Sequence, residues 1–217
     1  MTIRLAVFDC DGTLVDGQSA VCEAMEAGFA AAGLAAPPRH EVRRIVGLSL
    51  PVAIRNLAPD ADEDQCALAV ASYKQAFFAA RQEGRLSEPL FDGIRDLLSQ
   101  LQGAGWKLGV ATGKSDRGLK GCLAVHGLSS LFCTLQTADR HPSKPHPSML
   151  EEAMGEALAR PEHTAMIGDT AYDIEMAAGA GTRAIGVAWG YHSPAELLAA
   201  GAEAIAETPA HLGELLR

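Results

Sequence analysis

The stretch Asp9-Cys10-Asp11-Gly12-Thr13 follows a short, largely apolar run at residues 3–8. Such a run is typical of a buried β-strand, so the two aspartates stand at the strand's exit. In a parallel sheet, ligands bind at the carboxyl ends of the strands. Two carboxylates this close repel each other unless a cation or a proton lies between them. The stretch predicts a parallel α/β sheet with a Mg²⁺ site and one carboxylate free to attack. An Asx turn that only closes the strand is the alternative at this point.

Three further polar signals follow in order along the chain, two of them directly after short apolar runs. The runs occupy residues 108–111 and 165–167. The polar residues are Thr112 and Gly113 after the first run, Lys144 in a turn-rich segment, and Asp169 and Asp173 after the second run. Each signal alone is weak. Four signals in a fixed order, three of them at strand exits, are much less readily explained by chance.

These signals resemble the motifs of haloacid dehalogenase (HAD) superfamily hydrolases, and the chain is most similar to the phosphoglycolate-phosphatase-like group of subfamily IA. The similarity covers nearly all of the 217 residues. The matching residues are Asp9 through Leu14 for the first motif, Thr112 for the second, Lys144 for the third, and Gly168 and Asp169 through Asp173 for the fourth. Cys10 departs from the larger apolar residue that is usual in the family. Gly113 stands where close phosphoglycolate phosphatases often have Asn, which leaves the choice of substrate open.

The resemblance implies a role for each matched residue. It implies that Asp9 is a nucleophile that forms an aspartyl-phosphate, and that Asp11 protonates the leaving oxygen and later activates water. The implied phosphate-binding residues are Thr112, Gly113 and Lys144. The implied metal ligands are Asp9, Asp11 through its backbone carbonyl, and Asp169, with Asp173 in support. The structural alternatives are a helix N-cap for Thr112 or Asp169 and a solvated side chain for Lys144.

The order of helix and strand signals predicts two domains. Helical spacing without any strand signal fills the region between residues 16 and 89. Strands and helices alternate elsewhere, which indicates a mainly parallel sheet covered on both faces. Outside the insert, strands are expected at 3–8, near 107, and at 131–135, 164–167 and 182–187. We expect a Rossmann-like core at 1–16 and 89–217 and an inserted α-helical cap of the C1 type at 17–88.

The loop Gly47-Leu48-Ser49, between two predicted cap helices, resembles the loop that the family turns towards the active site. Arg43 and Arg44 lie one turn upstream. An arginine there would hold a substrate carboxylate through two parallel hydrogen bonds. Arginines on a helix are more commonly solvated, so both interpretations stay open.

Composition excludes several classes of partner. The formal net charge of −9 argues against nucleic acid or an anionic membrane, because both require concentrated Lys and Arg. No apolar run approaches the roughly 20 residues that span a bilayer, and the N-terminus has no signal-peptide pattern. The five cysteines form no CxxC pair, which is typical of free thiols in a reducing compartment. We therefore expect a soluble cytoplasmic protein.

The expected function is a Mg²⁺-dependent phosphatase for a small phosphorylated metabolite, with a phosphoglycolate-like substrate. A sugar-phosphate phosphatase or a phosphomutase is the alternative within the superfamily. A non-catalytic phospho-receiver and a P-loop nucleotide binder are alternatives from other classes. The segment at residues 109–115 resembles a P-loop but is one residue short, because Leu108 stands where glycine is needed. Lys114 is then expected at the edge of the site or in solvent.

Overall fold

The strands form one parallel sheet with β1 near its centre. The computed structural model describes residues 2–217. The strands are β1 (Arg4–Phe8), β2 (Trp106–Thr112), β3 (Thr134–Thr137), β4 (Thr164–Gly168), β5 (Arg183–Val187) and β6 (Ala204–Ala206). Their order is β3-β2-β1-β4-β5-β6, and every neighbouring pair is parallel. This confirms the predicted α/β fold with a Rossmann-like sheet.

The helices fall into an inserted group after β1 and a second group between and after the later strands. The inserted helices are α1 (Gln18–Ala31), α2 (Arg39–Arg44), α3 (Leu50–Leu57) and α4 (Glu63–Gln82). The later helices are α5 (Ile94–Gly103), α6 (Asp116–Val125), α7 (Ser148–Ala157), α8 (Ala171–Ala180), α9 (Pro194–Ala199) and α10 (Pro209–Leu215). None of the helices within residues 2–217 combines the length and the apolarity that a bilayer span needs.

Helices cover both faces of the sheet because β1 is apolar on both. Ala6 and Phe8 pack with α5, α6 and α10 on one face, while Leu5 and Val7 pack with α7, α8 and α9 on the other. All four side chains are fully buried. A strand buried on both faces belongs in the middle of a parallel sheet, so the loop that follows β1 lies at the centre of the sheet edge.

Helices α1–α4 pack on one another around a third apolar cluster, which includes Phe29 and Ile54. Helices α1 and α4 approach so closely that a Cβ on Gly28 would lie 2.8 Å from the carbonyl oxygen of Ala69. The two chain segments that join this group to the sheet are paired, since the Asp16 N–H donates to the Pro89 carbonyl at 2.8 Å. The division into a core and a cap at 17–88 stays a prediction that is compatible with this packing.

Two expectations about secondary structure are corrected. The strand expected at 131–135 begins only at Thr134, because the Leu131 N–H bonds back to the Leu128 carbonyl and closes a turn. The sequence interpretation also omitted α9, β6 and α10. These elements are 6, 3 and 7 residues long, too short for apolar periodicity to reveal.

Candidate active site

Three neighbouring strands deliver polar side chains to one edge of the sheet. In the parallel register Phe8 of β1 pairs with Val110 of β2 and with Ile167 of β4. Asp9, Thr112 and Asp169 therefore end up side by side, although they are far apart in the sequence. This edge is the crevice at the carboxyl ends of the strands, where parallel α/β sheets bind ligands.

The carboxylate of Asp169 is buried and held by two donors. The Thr13 hydroxyl donates to its Oδ1 at 2.8 Å, and the Tyr191 N–H donates to its Oδ2 at 3.0 Å. One donor comes from the loop after β1 and the other from the loop after β5. Because both oxygens are engaged by different elements, the orientation of this carboxylate is fixed.

A buried lysine joins two further carboxylates. The Lys144 ammonium lies 2.9 Å from Asp9 Oδ1 and donates to Asp173 Oδ1 at 2.6 Å. The other oxygen of Asp173 accepts hydrogen bonds from the backbone and the hydroxyl of Thr170. Lys144 is almost fully buried, so the alternative of a solvated lysine is excluded. Two flanking carboxylates raise the pKa of Lys144 above its ordinary value despite burial, and the ammonium stays charged.

Asp9 is the least satisfied group of the cluster. Its Oδ2 is buried without a hydrogen-bond partner, and its Oδ1 is contacted by the Lys144 ammonium at 2.9 Å. Burial, only partly offset by Lys144, raises the pKa of Asp9 to about 7, and the carboxylate of Asp173 adds to the shift. Burial raises the pKa of Asp169 well above its usual range, and the carboxylates of Asp9 and Asp173 add to this shift. The cluster thus carries more negative charge than its protein cation neutralises.

A divalent cation fits this arrangement. Oxygens of Asp9, Asp169 and Asp173 all lie within 4.8 Å of one another, and every one of these carboxylates is buried. Hard cations such as Mg²⁺ prefer carboxylate oxygens, and a cation would complement the free oxygens of Asp9. Asp173 is already bonded to Lys144 and Thr170, so it suits the supporting position better than a direct one.

The second aspartate of the first motif faces away from this cluster. Asp11 Oδ1 lies 3.0 Å from the Lys114 ammonium, which also lies 2.6 Å from Glu88 Oε1. All three side chains are at most 10% exposed. Burial raises the pKa of the Asp11 carboxyl, an effect that Lys114 opposes.

A cavity of about 420 Å³ opens directly above Asp9 and Asp11. Its floor includes Thr112 and Gly113, and one wall is the loop Gly47-Leu48-Ser49. That loop lies against the second motif, because a Cβ on Gly113 would be 2.5 Å from the Leu48 carbonyl oxygen. The other lining residues are mostly apolar, among them Val21, Met25 and Phe77. Charged residues also line the cavity, namely Lys74, Arg81, Lys114, Arg117 and Asp139.

Comparison with known proteins agrees with this geometry. The family model described as haloacid dehalogenase-like hydrolase matches residues 6–187. The chain belongs to the haloacid dehalogenase-like hydrolase family. It is 36% identical to the probable phosphatase IndB of Dickeya dadantii over 94% of this chain and 89% of that one. It is 27% identical to the phosphoglycolate phosphatase of Vibrio parahaemolyticus over 99% of this chain and 96% of that one. A predicted phosphatase from Clostridium acetobutylicum has a similar structure, with a TM-score of 0.88, 26% identity and coverage of 100% and 99% of the two chains.

The structure of this HAD-like hydrolase brings together the residues that the four motifs singled out. Asp9, Asp169, Asp173 and Lys144 form the buried charge cluster, and Thr112 with Gly113 borders the cavity. The Thr112 oxygen accepts a hydrogen bond from the Lys114 N–H, which leaves its own proton available to a ligand. The P-loop alternative fails, since residues 109–112 are extended within β2.

The structure places the two cap arginines, Arg43 and Arg44, outside the lining of the cavity. Arg44 instead donates to Glu196 of α9 at 2.6 Å, because the last turn of α2 faces that helix. The adjacent loop at 47–49 does reach the cavity, as the sequence predicted.

The sequence interpretation missed Lys114, Glu88, Thr13 and Tyr191 as parts of the site. Lys114 was expected in solvent or at the edge, and the structure contradicts solvation because Asp11 and Glu88 surround its ammonium. The sequence did offer a reason to include Thr13, because it belongs to the first motif. Tyr191 lies in a loop with no recognisable pattern, and its contribution is a backbone N–H.

Replacing Asp9 by Asn tests directly whether the cluster carries more negative charge than Lys144 neutralises. The raised pKa means that the folded metal-free protein binds this proton more tightly than the unfolded chain does, so its stability falls as pH rises from about 4 to about 7. Asp9→Asn removes that penalty. In EDTA at pH 8 its melting temperature is expected to exceed that of the unchanged protein by several degrees, and the gap should shrink at pH 5.

The change in melting temperature on addition of Mg²⁺ is the second part of this test. A ligand that binds only the folded state raises its stability, so Mg²⁺ should raise the melting temperature of the unchanged protein. It should raise that of Asp9→Asn much less, while the exposed control Asp60→Asn should respond like the unchanged protein. An equal Mg²⁺ response in all three proteins would contradict the metal assignment.

Proposed function

We propose that this HAD-like hydrolase is a Mg²⁺-dependent phosphatase that transfers the phosphoryl group of a small metabolite to Asp9. The observation that supports the proposal is the buried Asp9 carboxylate, which lines the cavity and whose Oδ2 has no hydrogen-bond partner. Neighbouring Asp169 is fixed by Thr13 and Tyr191. Relatives described as phosphatases agree with this chemistry.

A phosphate ester bound at the floor of the cavity would meet several donors. The Thr112 hydroxyl, the Gly113 N–H and the Lys144 ammonium are the groups that would hold its oxygens. The transferring group spreads negative charge over three oxygens, so fixed donors and cations stabilise its transition state. When bound by Asp9, Asp169 and the backbone carbonyl of Asp11, with Asp173 in support, Mg²⁺ would neutralise charge between the nucleophile and the phosphate.

The reaction would proceed in two steps. An Asp9 oxygen forms a bond to phosphorus, the bond between phosphorus and the ester oxygen breaks, and Asp11 gives its proton to the leaving oxygen. A water molecule then attacks phosphorus, Asp11 takes the water's proton, and the bond between Asp9 and phosphorus breaks. Burial favours the protonated form of Asp11 that the first step needs. Free phosphate and an alcohol are the products.

Hydrolysis of phenyl phosphate tests this proposal. Turnover is expected to require Mg²⁺, to stop in excess EDTA, and to return on addition of Mg²⁺. Asp9→Asn should lose at least about 10⁴-fold in kcat, because it lacks the attacking carboxylate. Asp60→Asn, which removes an exposed charge far from the motifs, should keep full activity. Substantial turnover by Asp9→Asn would exclude Asp9 as the nucleophile.

The cavity also bears on the choice of substrate. The expectation of a phosphoglycolate-like substrate rests on the family resemblance, and Arg43 and Arg44, which were considered for its carboxylate, do not line the cavity. Aliphatic and aromatic side chains form most of its wall, although Lys74, Arg81 and Arg117 also line it, and Phe78 lies 3.6 Å from the Arg117 guanidinium. Covering apolar surface contributes about 25 cal/mol per Å². We therefore propose a small phosphorylated metabolite whose alcohol is more apolar and larger than glycolate.

Two esters with leaving groups of similar basicity test this preference. We expect kcat/KM for naphthyl phosphate to exceed that for phenyl phosphate, because the larger ring covers more of the apolar wall. Arg44→Ala should change kcat/KM for phosphoglycolate and phenyl phosphate by the same small factor, because its partner Glu196 lies outside the cavity. A selective loss on phosphoglycolate in Arg44→Ala would restore the carboxylate-binding hypothesis.

The free cysteines are the basis for a proposal about where the protein is located in the cell. Five cysteines are free, and three of them are buried. Free thiols persist in reducing compartments, so we propose a cytoplasmic location. The net charge of −9 makes a small anionic substrate dependent on local cations, which Lys144 and Mg²⁺ would supply.

A further inference from the structure

Lys114, which none of the four motifs includes, lies at the centre of a chain of alternating charges. The chain runs from Asp11 through Lys114 and Glu88 to Arg81, whose guanidinium donates to Glu88 Oε2 at 3.0 Å. It links the loop after β1, the loop after β2, the segment that returns from the inserted helices, and α4. Each acid has a base on at least one side, so the four charges balance.

A lysine in this position needs an explanation. Its side chain is 8% exposed, and burying an ammonium is unfavourable unless it is paired. Glu88 alone would pair it, at 2.6 Å, yet the ammonium also lies 3.0 Å from Asp11 Oδ1 and 5.1 Å from the centre of the Phe77 ring. Three sides of the ammonium are therefore occupied by groups from three different segments.

The contact with Asp11 has a geometric consequence. Asp11 Oδ1 is buried and receives no other polar contact, while Asp11 itself borders the cavity. Contact of one oxygen with Lys114 leaves the other oxygen for proton transfer. Gly17 closes the opposite side, because a Cβ there would lie 2.7 Å from the same Oδ1. Without Lys114, Asp11 and Glu88 would be two acids with no cation between them, and electrostatic repulsion would turn Asp11 away.

We propose that Lys114 is a positioning residue that holds Asp11 in the geometry for proton transfer, and that Glu88 holds Lys114. Asp11 acts as the acid in the function proposed above, so the positioning role of Lys114 rests on that proposed function. Lys114 touches neither phosphate nor metal in this scheme and acts only through Asp11. Displacement of a catalytic group by about 1 Å lowers rates by about 10²-fold, so the expected effect is large.

The test compares two esters by kcat/KM, which reports the first phosphoryl transfer and not the later attack of water. Loss of the acid matters most when the leaving alkoxide is basic. Lys114→Met should lower kcat/KM for an alkyl phosphate by about 10–100-fold and for p-nitrophenyl phosphate by no more than about threefold. Methionine is an unbranched apolar side chain that removes only the ammonium's charge and hydrogen bonds, and Lys120→Met on the exposed face of α6 is the matched control.

A double-mutant cycle separates positioning from a general structural effect. Asp11→Asn should show the same selective loss, and Asp11→Asn with Lys114→Met should be no slower on the alkyl phosphate than Asp11→Asn alone. Retained p-nitrophenyl phosphate turnover reports that the variants are folded. If Lys114→Met does not fold, Lys114→Gln takes its place in the same cycle.

Three results would overturn the proposal: equal losses on both esters, additive losses in the double variant, or no loss in Lys114→Met. Equal losses in Asp11→Asn itself would instead remove Asp11 as the acid. Full activity of Asp9→Asn would remove the proposed function as a whole. These failures differ in which variant shows them, so they are distinguishable.

Discussion

The buried Lys144 between Asp9 and Asp173 is the interaction on which the rest of the site depends. Three carboxylates and one ammonium are buried next to one another, and the single cation cannot balance them. Each carboxylate except Asp9 is therefore held by hydrogen bonds from Thr13, Tyr191 or Thr170. The donors satisfy the supporting groups and leave the carboxylate of Asp9 open.

The excess of negative charge in this cluster affects both the stability of the fold and the chemistry of the site. Like charges that are held together by the fold disfavour the folded state, and a bound cation would relieve the repulsion. The same arrangement leaves a buried carboxylate next to a cavity, which is what attack on phosphorus requires. The fold tolerates the local strain because β1, fully buried on both faces, anchors the loop that carries Asp9.

Much of the fold and of this centre could be predicted from the sequence, because local patterns report them. Apolar runs that end in Asp9, Thr112 and Asp169 mark strand exits, and parallel strands bring their carboxyl ends together. Lys144 has no such marker and was placed only by its order among the motifs. The pairing of Lys114 with Asp11 and Glu88 could not be predicted, since it depends on where the inserted helices return to the sheet.

The orientation of the cap arginines could not be predicted either. Helical spacing places Arg43 and Arg44 near the loop at 47–49, but the direction of each side chain depends on the helix opposite. Arg44 forms an ion pair with Glu196 of α9, a helix of six residues that is too short for apolar periodicity to predict. Substrate choice is thus the least predictable property, because it depends on contacts between segments that are distant in sequence.

Trapping of the covalent intermediate tests the central claim most directly. The protein would be mixed with Mg²⁺ and excess p-nitrophenyl phosphate, quenched in acid within the first turnover, digested, and examined by mass spectrometry. The account predicts a phosphoryl group on the peptide that contains Asp9, at that residue, and its loss when the quenched sample is brought to mild alkali. A phosphoryl group on another residue, or none when product has formed in a stoichiometric burst, would contradict it.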